Sequence, residues 1–237
     1  MNLGKKTLFI SLFALIAVFS FFEYSNADLA IQQYFYLPLE KIWILKDPHS
    51  IYQNIFYTGI KIPIYIIGLG ALMASVISWK KNIWNDNRKG FLIVTLSLII
   101  LPLSIADVFK KVTNVHCPYD ILEFGGGIPY VKVLESYPVN TQSADGKWAK
   151  GKCWPAGHSS GGFALLSLYC LFRKKKHKNF AFIFAMSMGQ IMGIFQVIRG
   201  HHFLSHHIIT MFLALILVSL LNIFIKDFSD ESSPIKK

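Results

Sequence analysis

Six long apolar segments constrain the fold of this 237-residue chain more than any other feature of its sequence. A helix needs about 20 mostly apolar residues to cross a bilayer. Hydrophobic residues make up 53% of the chain and charged residues only 16%, a balance that soluble domains rarely show. We therefore predict an all-α integral membrane protein in which residues 1–237 form one domain. The predicted spanning helices are 7–24, 59–79, 90–109, 158–172, 180–199 and 207–225.

Basic residues give this predicted bundle an orientation. The net charge of +11 is concentrated in short clusters between the apolar segments, which is typical of cytoplasmic loops and disfavours nucleic-acid binding. The positive-inside rule then places both termini in the cytoplasm. The first segment has an alternative interpretation as a cleaved signal, because Ser25-Asn26-Ala27 offers small residues after a lysine-flanked apolar run. The predicted outer connections are 25–58, 110–157 and 200–206.

The first outer connection, 25–58, is rich in aromatic residues and poor in charge. Tyr36, Trp43 and Tyr57 are among its aromatic side chains. Such a composition is typical of a segment that lies along the membrane interface. We predict an aromatic belt there, and the alternative is a lip that guides lipid chains.

Polar side chains cluster at three places on the predicted outer face. Lys110 and Lys111 open the long outer loop, either as snorkelling anchors or as ligands for an anion. Residues 153–162 bring a Pro-Ala-Gly-His run to the start of an apolar segment, and residues 199–207 contain one arginine and four histidines. Because all three clusters fall on one face of the membrane, we predict that they form one site.

The residue types in these clusters suit phosphoryl transfer. Arg199, His202 and His206 have the spacing i, i+3 and i+7, so they share a face if one helix continues through them. Lysine and arginine neutralise phosphate oxygens. One histidine can attack phosphorus while a second protonates the leaving oxygen. No carboxylate cluster for Mg²⁺ accompanies them in the sequence, so we predict a mechanism without metal or cofactor.

The order of these motifs resembles the type 2 phosphatidic acid phosphatase superfamily. The signature of that family reads Lys-x6-Arg-Pro, then Pro-Ser-Gly-His, then Ser-Arg-x5-His-x3-Asp. In this chain Lys110 is followed after six residues by Cys117-Pro118. The run 155–158, Pro-Ala-Gly-His, matches the second motif, and His202 followed after three residues by His206 resembles the third.

The chain departs from the family signature at four positions. Cys117, Ala156 and His206 stand where the signature has arginine, serine and aspartate. Gln196 takes the place of the arginine in the third motif, and Arg199 follows one helical turn later. We interpret these departures as features of a bacterial inner-membrane subgroup.

The resemblance implies a six-helix bundle with its active site at the outer, periplasmic face of a bacterial inner membrane. It implies that His202 is the nucleophile, that it forms a phosphohistidine, and that His158 is the general acid. His206 would orient the imidazole of His202, a task that the family gives to aspartate. The implied phosphate-binding residues are Lys110, Arg199, Gly157 and Ser159, the last two through the start of the fourth helix.

Two cysteines lie beside the first two motifs. In an oxidising compartment Cys117 and Cys153 are expected to form a disulfide that ties these motifs together, and the alternative is a pair of buried thiols. Cys170, toward the inner end of the fourth helix, is predicted to be a small apolar residue. His116 and His201 match no family role, and we predict structural or rim positions for them.

The activity implied by the resemblance is hydrolysis of a phosphate or diphosphate on a lipid, with no cofactor. The candidate substrates are polyprenyl diphosphate, phosphatidylglycerol phosphate, phosphatidic acid and lipid A, and the expected partners are these lipids and the surrounding membrane. One alternative is transfer of the phosphoryl group to another lipid. Another is a non-enzymatic transport or metal protein, with Zn²⁺ or Cu²⁺ held by His158, His201, His202, His206 and His207.

Overall fold

The computed structural model describes residues 3–45, 51–137 and 150–225, and it is helical almost throughout. Residues 138–149 of the predicted outer loop and the C-terminal residues 226–237 lie outside the described residues. Five helices in the described part are long and apolar enough to cross a membrane, so the chain is a multi-pass membrane protein. They are Lys5–Glu23 (α1), Ile51–Lys81 (α3), Asn85–Val112 (α4), Lys175–Ile198 (α6) and Leu204–Phe224 (α7). A short helix, Ala27–Gln33 (α2), follows α1.

The fourth predicted spanning segment is a shorter helix than we expected. It covers Ser160–Leu171 (α5) and passes from α-helical to 3-10 geometry over Leu165–Ser167. At the rise of these helix types it is about 18–20 Å long, less than the ~30 Å apolar core of a bilayer. Its side chains Phe163, Leu165 and Leu166 are fully buried. The fourth predicted segment is therefore a short central helix that the longer helices enclose.

Close packing of small residues holds α5 in the centre of the bundle. α5 packs against α4, α6 and α7, while α1 packs along α7 and α3 along α4. A Cβ added to Gly162 would lie 2.7 Å from the Cα atom of Gly189 on α6. This distance is too short for any side chain, so glycine at both positions lets the two helices approach closely.

Two π-helical turns lie near the site end of the bundle. α3 contains the π turn Asn54–Gly59, and α4 contains the π turn Ser104–Phe109 two residues after Pro102. A proline in a helix lacks the N–H that the regular ladder needs, so irregular turns are common beside it. The two turns set the directions of Tyr57 on α3 and Lys110 on α4.

The connection between α1 and α3 is folded against the turn between α6 and α7. A two-stranded antiparallel hairpin pairs Tyr36–Leu37 (β1) with Ile42–Trp43 (β2), and Tyr36 lies opposite Trp43. Both aromatic side chains are buried, and they pack with Phe124 and Phe203. The prediction of an aromatic belt is therefore wrong for this pair, which belongs to a small core of its own.

Substitution of Gly162 tests the close contact between α5 and α6. Gly162→Val is expected to lower the free energy of unfolding by about 1–3 kcal/mol, because the added methyl groups meet backbone atoms rather than a mobile side chain. Thermal unfolding of the purified protein in detergent measures the change. The control is Gly70→Ala on α3, where an added Cβ meets nothing within 4 Å. Equal melting temperatures for Gly162→Val and the wild type would contradict this account of the packing.

Candidate active site

The turn between α6 and α7 is the centre of the candidate site. α6 ends at Ile198, and Gly200 follows with a φ of 72°, so the helix does not continue through the histidines. The shared helical face predicted for Arg199, His202 and His206 is therefore wrong. A Cβ on Gly200 would lie 2.3 Å from the ring of Trp43, so both the backbone conformation and the space require glycine.

His158 and His202 meet directly in this site. Nδ1 of His158 lies 3.2 Å from Nε2 of His202, although 44 residues separate them in the chain. Nε2 of His158 lies 3.3 Å from the hydroxyl of Tyr57. His202 is buried and His158 is half-buried. The structure thus brings together the predicted nucleophile and the predicted acid, and it adds a tyrosine that sequence reasoning had assigned to an aromatic belt.

Burial keeps both imidazoles neutral in the absence of an anion. It lowers the pKa of His158 to about 4, with smaller contributions from the nearby positive charges of Lys110 and Lys61. Complete burial also lowers the pKa of His202 well below its ordinary value. A neutral imidazole has the free lone pair that a nucleophile needs. A phosphate anion bound between these residues would raise both pKa values, because it favours the charged form of each ring.

Three cationic side chains surround the histidine pair. The ammonium of Lys110 lies against Gly157, where a Cβ would come within 3.3 Å of Nζ. The guanidinium of Arg199 stacks 5.4 Å from the ring centre of Phe195. Lys61 was not predicted, and its Nζ lies 3.8 Å from the ring centre of Tyr57. The signal that points to Lys61 is a lone lysine within an apolar segment.

The serine side chains at the start of α5 turn back toward the preceding loop. The carbonyl of Gly157 accepts hydrogen bonds from the Ser160 amide at 3.2 Å and from the Ser160 hydroxyl at 2.7 Å. The hydroxyl of Ser159 is buried and lies 3.5 Å from the carbonyl of Ala156. Ser159 therefore turns its side chain toward its own loop, so a phosphate contact by this residue would come from its amide.

Cys117 and Cys153 are joined by a disulfide in the structure, with an S–S distance of 2.09 Å. Cys153 is fully buried, and its Sγ lies 3.2 Å from Nδ1 of His202 and 3.1 Å from the backbone oxygen of His201. Its amide also donates to the carbonyl of Val115 at 2.9 Å. The bond joins the loop after α4 to the loop before α5, and one of its sulfurs contacts His202.

The predicted orienting residue, His206, lies beside His202 without facing its Nδ1 atom. The two ring centres are 5.9 Å apart in an edge contact. Among the described residues, Nδ1 of His206 is buried with no hydrogen-bond partner. The atom that faces Nδ1 of His202 is Sγ of Cys153. Sequence reasoning did not find this role for Cys153, because it requires the fold of the loop.

The remaining histidines occupy separate places. His116 is buried near Asp120, and His201 packs against the ring of Tyr119. His207 is buried on α7, where its Nε2 lies 2.8 Å from Oε1 of Gln190. Across residues 3–45, 51–137 and 150–225, one group of three metal-ligand side chains has its ligand atoms within 4.8 Å of one another: Cys117, Cys153 and His202. The five histidines of the metal-protein alternative do not form such a group, and the two sulfurs are bonded to each other.

Side chains of α2 bind both ends of the turn between α6 and α7. The carboxylate of Asp28 accepts hydrogen bonds from the Ser205 amide at 3.0 Å and from the Ser205 hydroxyl, at the start of α7. The side-chain amide of Gln32 donates to the carbonyl of Val197 at 2.7 Å, at the end of α6. Sequence reasoning missed both residues. Asp28 is one of three acidic residues in the largely apolar segment 25–58, and no local pattern singles it out.

A comparison with protein families found one match, to a family model described as PAP2 superfamily, over residues 89–230. The match contains α4 to α7 and therefore every histidine and cysteine of the site. Neither the curated proteins nor the solved structures gave a match.

Substitution of Asp28 tests the contact between α2 and α7. Burial raises the pKa of Asp28 from 3.8 to about 6, although the hydrogen bonds from Ser205 oppose the shift. The folded protein therefore binds this proton more tightly than the unfolded chain, so its stability falls as the pH rises from about 4 to about 6. Relative to Asp28→Asn, the wild type should lose about 2–3 kcal/mol over this interval.

Thermal unfolding of both proteins in detergent, at pH values from 4 to 7, measures this difference. Asp86→Asn replaces an exposed carboxylate and serves as the control. Parallel curves for the wild type and Asp28→Asn would show that the buried carboxyl does not carry the effect.

Proposed function

The chain belongs to the PAP2 superfamily, which supports a phosphatase-type activity in general, and on this premise we propose that it removes a phosphate group from a lipid. The observation that carries the proposal is an apolar groove that begins at His158 and runs between α3 and α4. Its volume is about 410 Å³. A groove of this kind accommodates a hydrocarbon chain while the phosphate of the same molecule meets the histidines.

The walls of this groove face the membrane. Its lining includes Leu69 and Ile99, which are exposed on the surface of the bundle, and Thr95 deeper between the helices. Lys61 lies at the end near His158. An apolar channel with a cation at one end matches a lipid whose headgroup is an anion. A soluble phosphate ester has no hydrocarbon chain that would occupy the groove.

In the proposed reaction Nε2 of His202 attacks phosphorus and forms a phosphohistidine. His158 donates its Nδ1 proton to the leaving oxygen, and it then accepts a proton from the water that hydrolyses the intermediate. The nucleophile and the leaving oxygen lie on opposite sides of phosphorus in an in-line displacement. The two histidine nitrogens, 3.2 Å apart without substrate, must therefore separate when the phosphoryl group enters between them.

Charge completes the proposed mechanism. Lys110 and Arg199, with Lys61, neutralise the phosphate oxygens and favour binding of the anion. The bound anion in turn favours protonation of His158, which is neutral at pH 7 in the empty site. Substrate binding thus raises the pKa of His158 so that it takes up a proton from the solvent, and substrate binding and acid catalysis are coupled.

We place the site at the outer, periplasmic face of a bacterial inner membrane, with both termini in the cytoplasm. The clusters of lysine and arginine between the apolar segments support this orientation. The disulfide between Cys117 and Cys153 also supports it, since disulfides persist in oxidising compartments.

Phosphoryl transfer to a second lipid is the second candidate function, and one observation favours it. A further apolar groove of about 630 Å³ runs between the start of α3 and α6. It is lined by Phe56, Ile194 and Phe195, and Arg199 stacks on the ring of Phe195. Two grooves, one with Lys61 at its end and one beside Arg199, can hold a donor lipid and an acceptor lipid. Labelled donor lipid with and without an acceptor distinguishes transfer from hydrolysis.

Histidine substitutions test the proposed chemistry. His202→Ala and His158→Ala are expected to lower the rate of phosphate release at least ~10³-fold, as removal of other catalytic groups does. The assay measures phosphate released from phosphatidic acid, phosphatidylglycerol phosphate, polyprenyl diphosphate and lipid A by purified protein. His177→Ala, an exposed histidine near the far end of α6, should retain the wild-type rate. Near-normal release by His202→Ala would exclude it as the nucleophile.

Paired substitutions on α3 test the groove. Gly68 lines the groove, whereas Gly70, two residues later, has open space around it. Gly68→Phe is expected to raise KM for the lipid substrate about 10-fold or more, because the ring occupies the volume that the chain requires. Hydrolysis of the soluble ester p-nitrophenyl phosphate should change little, and Gly70→Phe should resemble the wild type with both substrates. Equal effects of the two variants on KM would contradict the role of the groove.

A further inference from the structure

The contact between Cys153 and His202 identifies a positioning residue that the family signature lacks. Sγ of Cys153 lies 3.2 Å from Nδ1 of His202, and both side chains are buried. We propose that this sulfur fixes the tautomer of the nucleophilic imidazole, the task that aspartate has in the signature. The inference rests on the proposed function, since it gives a role to His202 as the nucleophile.

A disulfide sulfur determines the direction of the hydrogen bond. Cys153 is bonded to Cys117, so its Sγ carries no proton and can only accept, as sulfur does weakly. The proton of the neutral imidazole therefore lies on Nδ1 of His202. Nε2 then keeps its lone pair on the side that faces His158 and the phosphate site.

The other contacts of the pair agree with the same proton arrangement. The Tyr57 hydroxyl can donate to Nε2 of His158 at 3.3 Å, which leaves the His158 proton on Nδ1. Nδ1 of His158 can then donate to Nε2 of His202 at 3.2 Å. The hydrogen bonds thus run from Tyr57 through His158 and His202 to Sγ of Cys153, and each donor has one acceptor. The assignment also places a proton on the His158 atom that faces the leaving oxygen.

The histidine at the family's aspartate position does not replace this contact. The rings of His206 and His202 make a T-shaped contact, and Nδ1 of His206 has no partner among the described residues. In this chain the sulfur of Cys153 thus faces the imidazole nitrogen for which the signature provides an aspartate. The uncharged sulfur orients the ring, but it stabilises a developing imidazolium less than a carboxylate would.

Two variants separate this contact from the tether that the disulfide provides. Cys117→Ala and Cys153→Ala remove the same disulfide, but Cys117→Ala leaves Sγ beside His202. The freed thiol can donate to the His201 oxygen, 3.1 Å away, and still accept from Nδ1 of His202. Cys153→Ala should lower kcat about 10- to 100-fold. This is the typical effect of removing a residue that orients a histidine through a hydrogen bond, as measured for histidines that bind metals. KM should change little, and Cys117→Ala should keep a clearly higher kcat.

Cys153→Ser is the conservative variant and should recover part of the lost rate, because its hydroxyl can make the same two contacts. Cys170→Ala removes the free cysteine of α5 and should leave kcat unchanged. Thermal unfolding of the two disulfide-free variants shows whether they are equally folded. Equal loss of kcat in Cys117→Ala and Cys153→Ala would overturn the proposal in favour of a tether alone.

An NMR measurement determines the tautomer of the His202 imidazole without any substrate. Protein labelled with ¹⁵N-histidine in detergent at pH 7 gives long-range ¹H–¹⁵N correlations, in which the His202 signals are identified by their loss in His202→Ala. The wild type and Cys117→Ala should show the Nδ1–H form, and Cys153→Ala should show a mixture. An Nε2–H form in the wild type would overturn the inference. Absence of phosphate release from every lipid, together with the Nδ1–H form, would instead count against the proposed function alone.

Discussion

The geometry of the candidate site depends on contacts between the segment that follows α1 and the turn between α6 and α7. The turn joins α6 to α7 and contains a glycine at positive φ, so it is not held by helical hydrogen bonds. Trp43 covers Gly200 from one side, while Asp28 and Gln32 bind the backbone and side chains at the two ends of the turn. These groups lie more than 150 residues earlier in the chain. Without them, nothing in the local sequence would hold His202 opposite His158.

Much of the helical framework could be predicted from the sequence, because the apolar segments are long and clusters of basic residues separate them. The five long helices overlap their predicted positions, and the order of the histidine and lysine motifs is sufficient to indicate one site and the correct family. The short central helix was not predicted as such. The apolar run that follows Gly161 and Gly162 has the composition of a spanning helix. Its 3-10 turn and its burial are determined by contacts with neighbouring helices.

The parts of the site that the sequence could not predict are those that arise from tertiary contacts. Asp28 and Ser205 are 177 residues apart, and no local pattern connects them. Tyr57 reaches His158 through a π turn, which changes the directions of the side chains in a way that regular helical spacing does not describe. The same limit applies to Cys153. Its neighbours in sequence indicate a disulfide, whereas its contact with His202 depends on how two loops fold together.

The lateral groove has a consequence for the direction of the reaction. For a lipid phosphate held with its chain between α3 and α4, the two products leave into different phases. The dephosphorylated lipid remains in the membrane, while inorganic phosphate diffuses into water and is diluted there. The reverse reaction would need both products to return to the same small site at once. In the proposed reaction, an opening toward the bilayer thus sends the two products into different phases, so both rarely return to the site together.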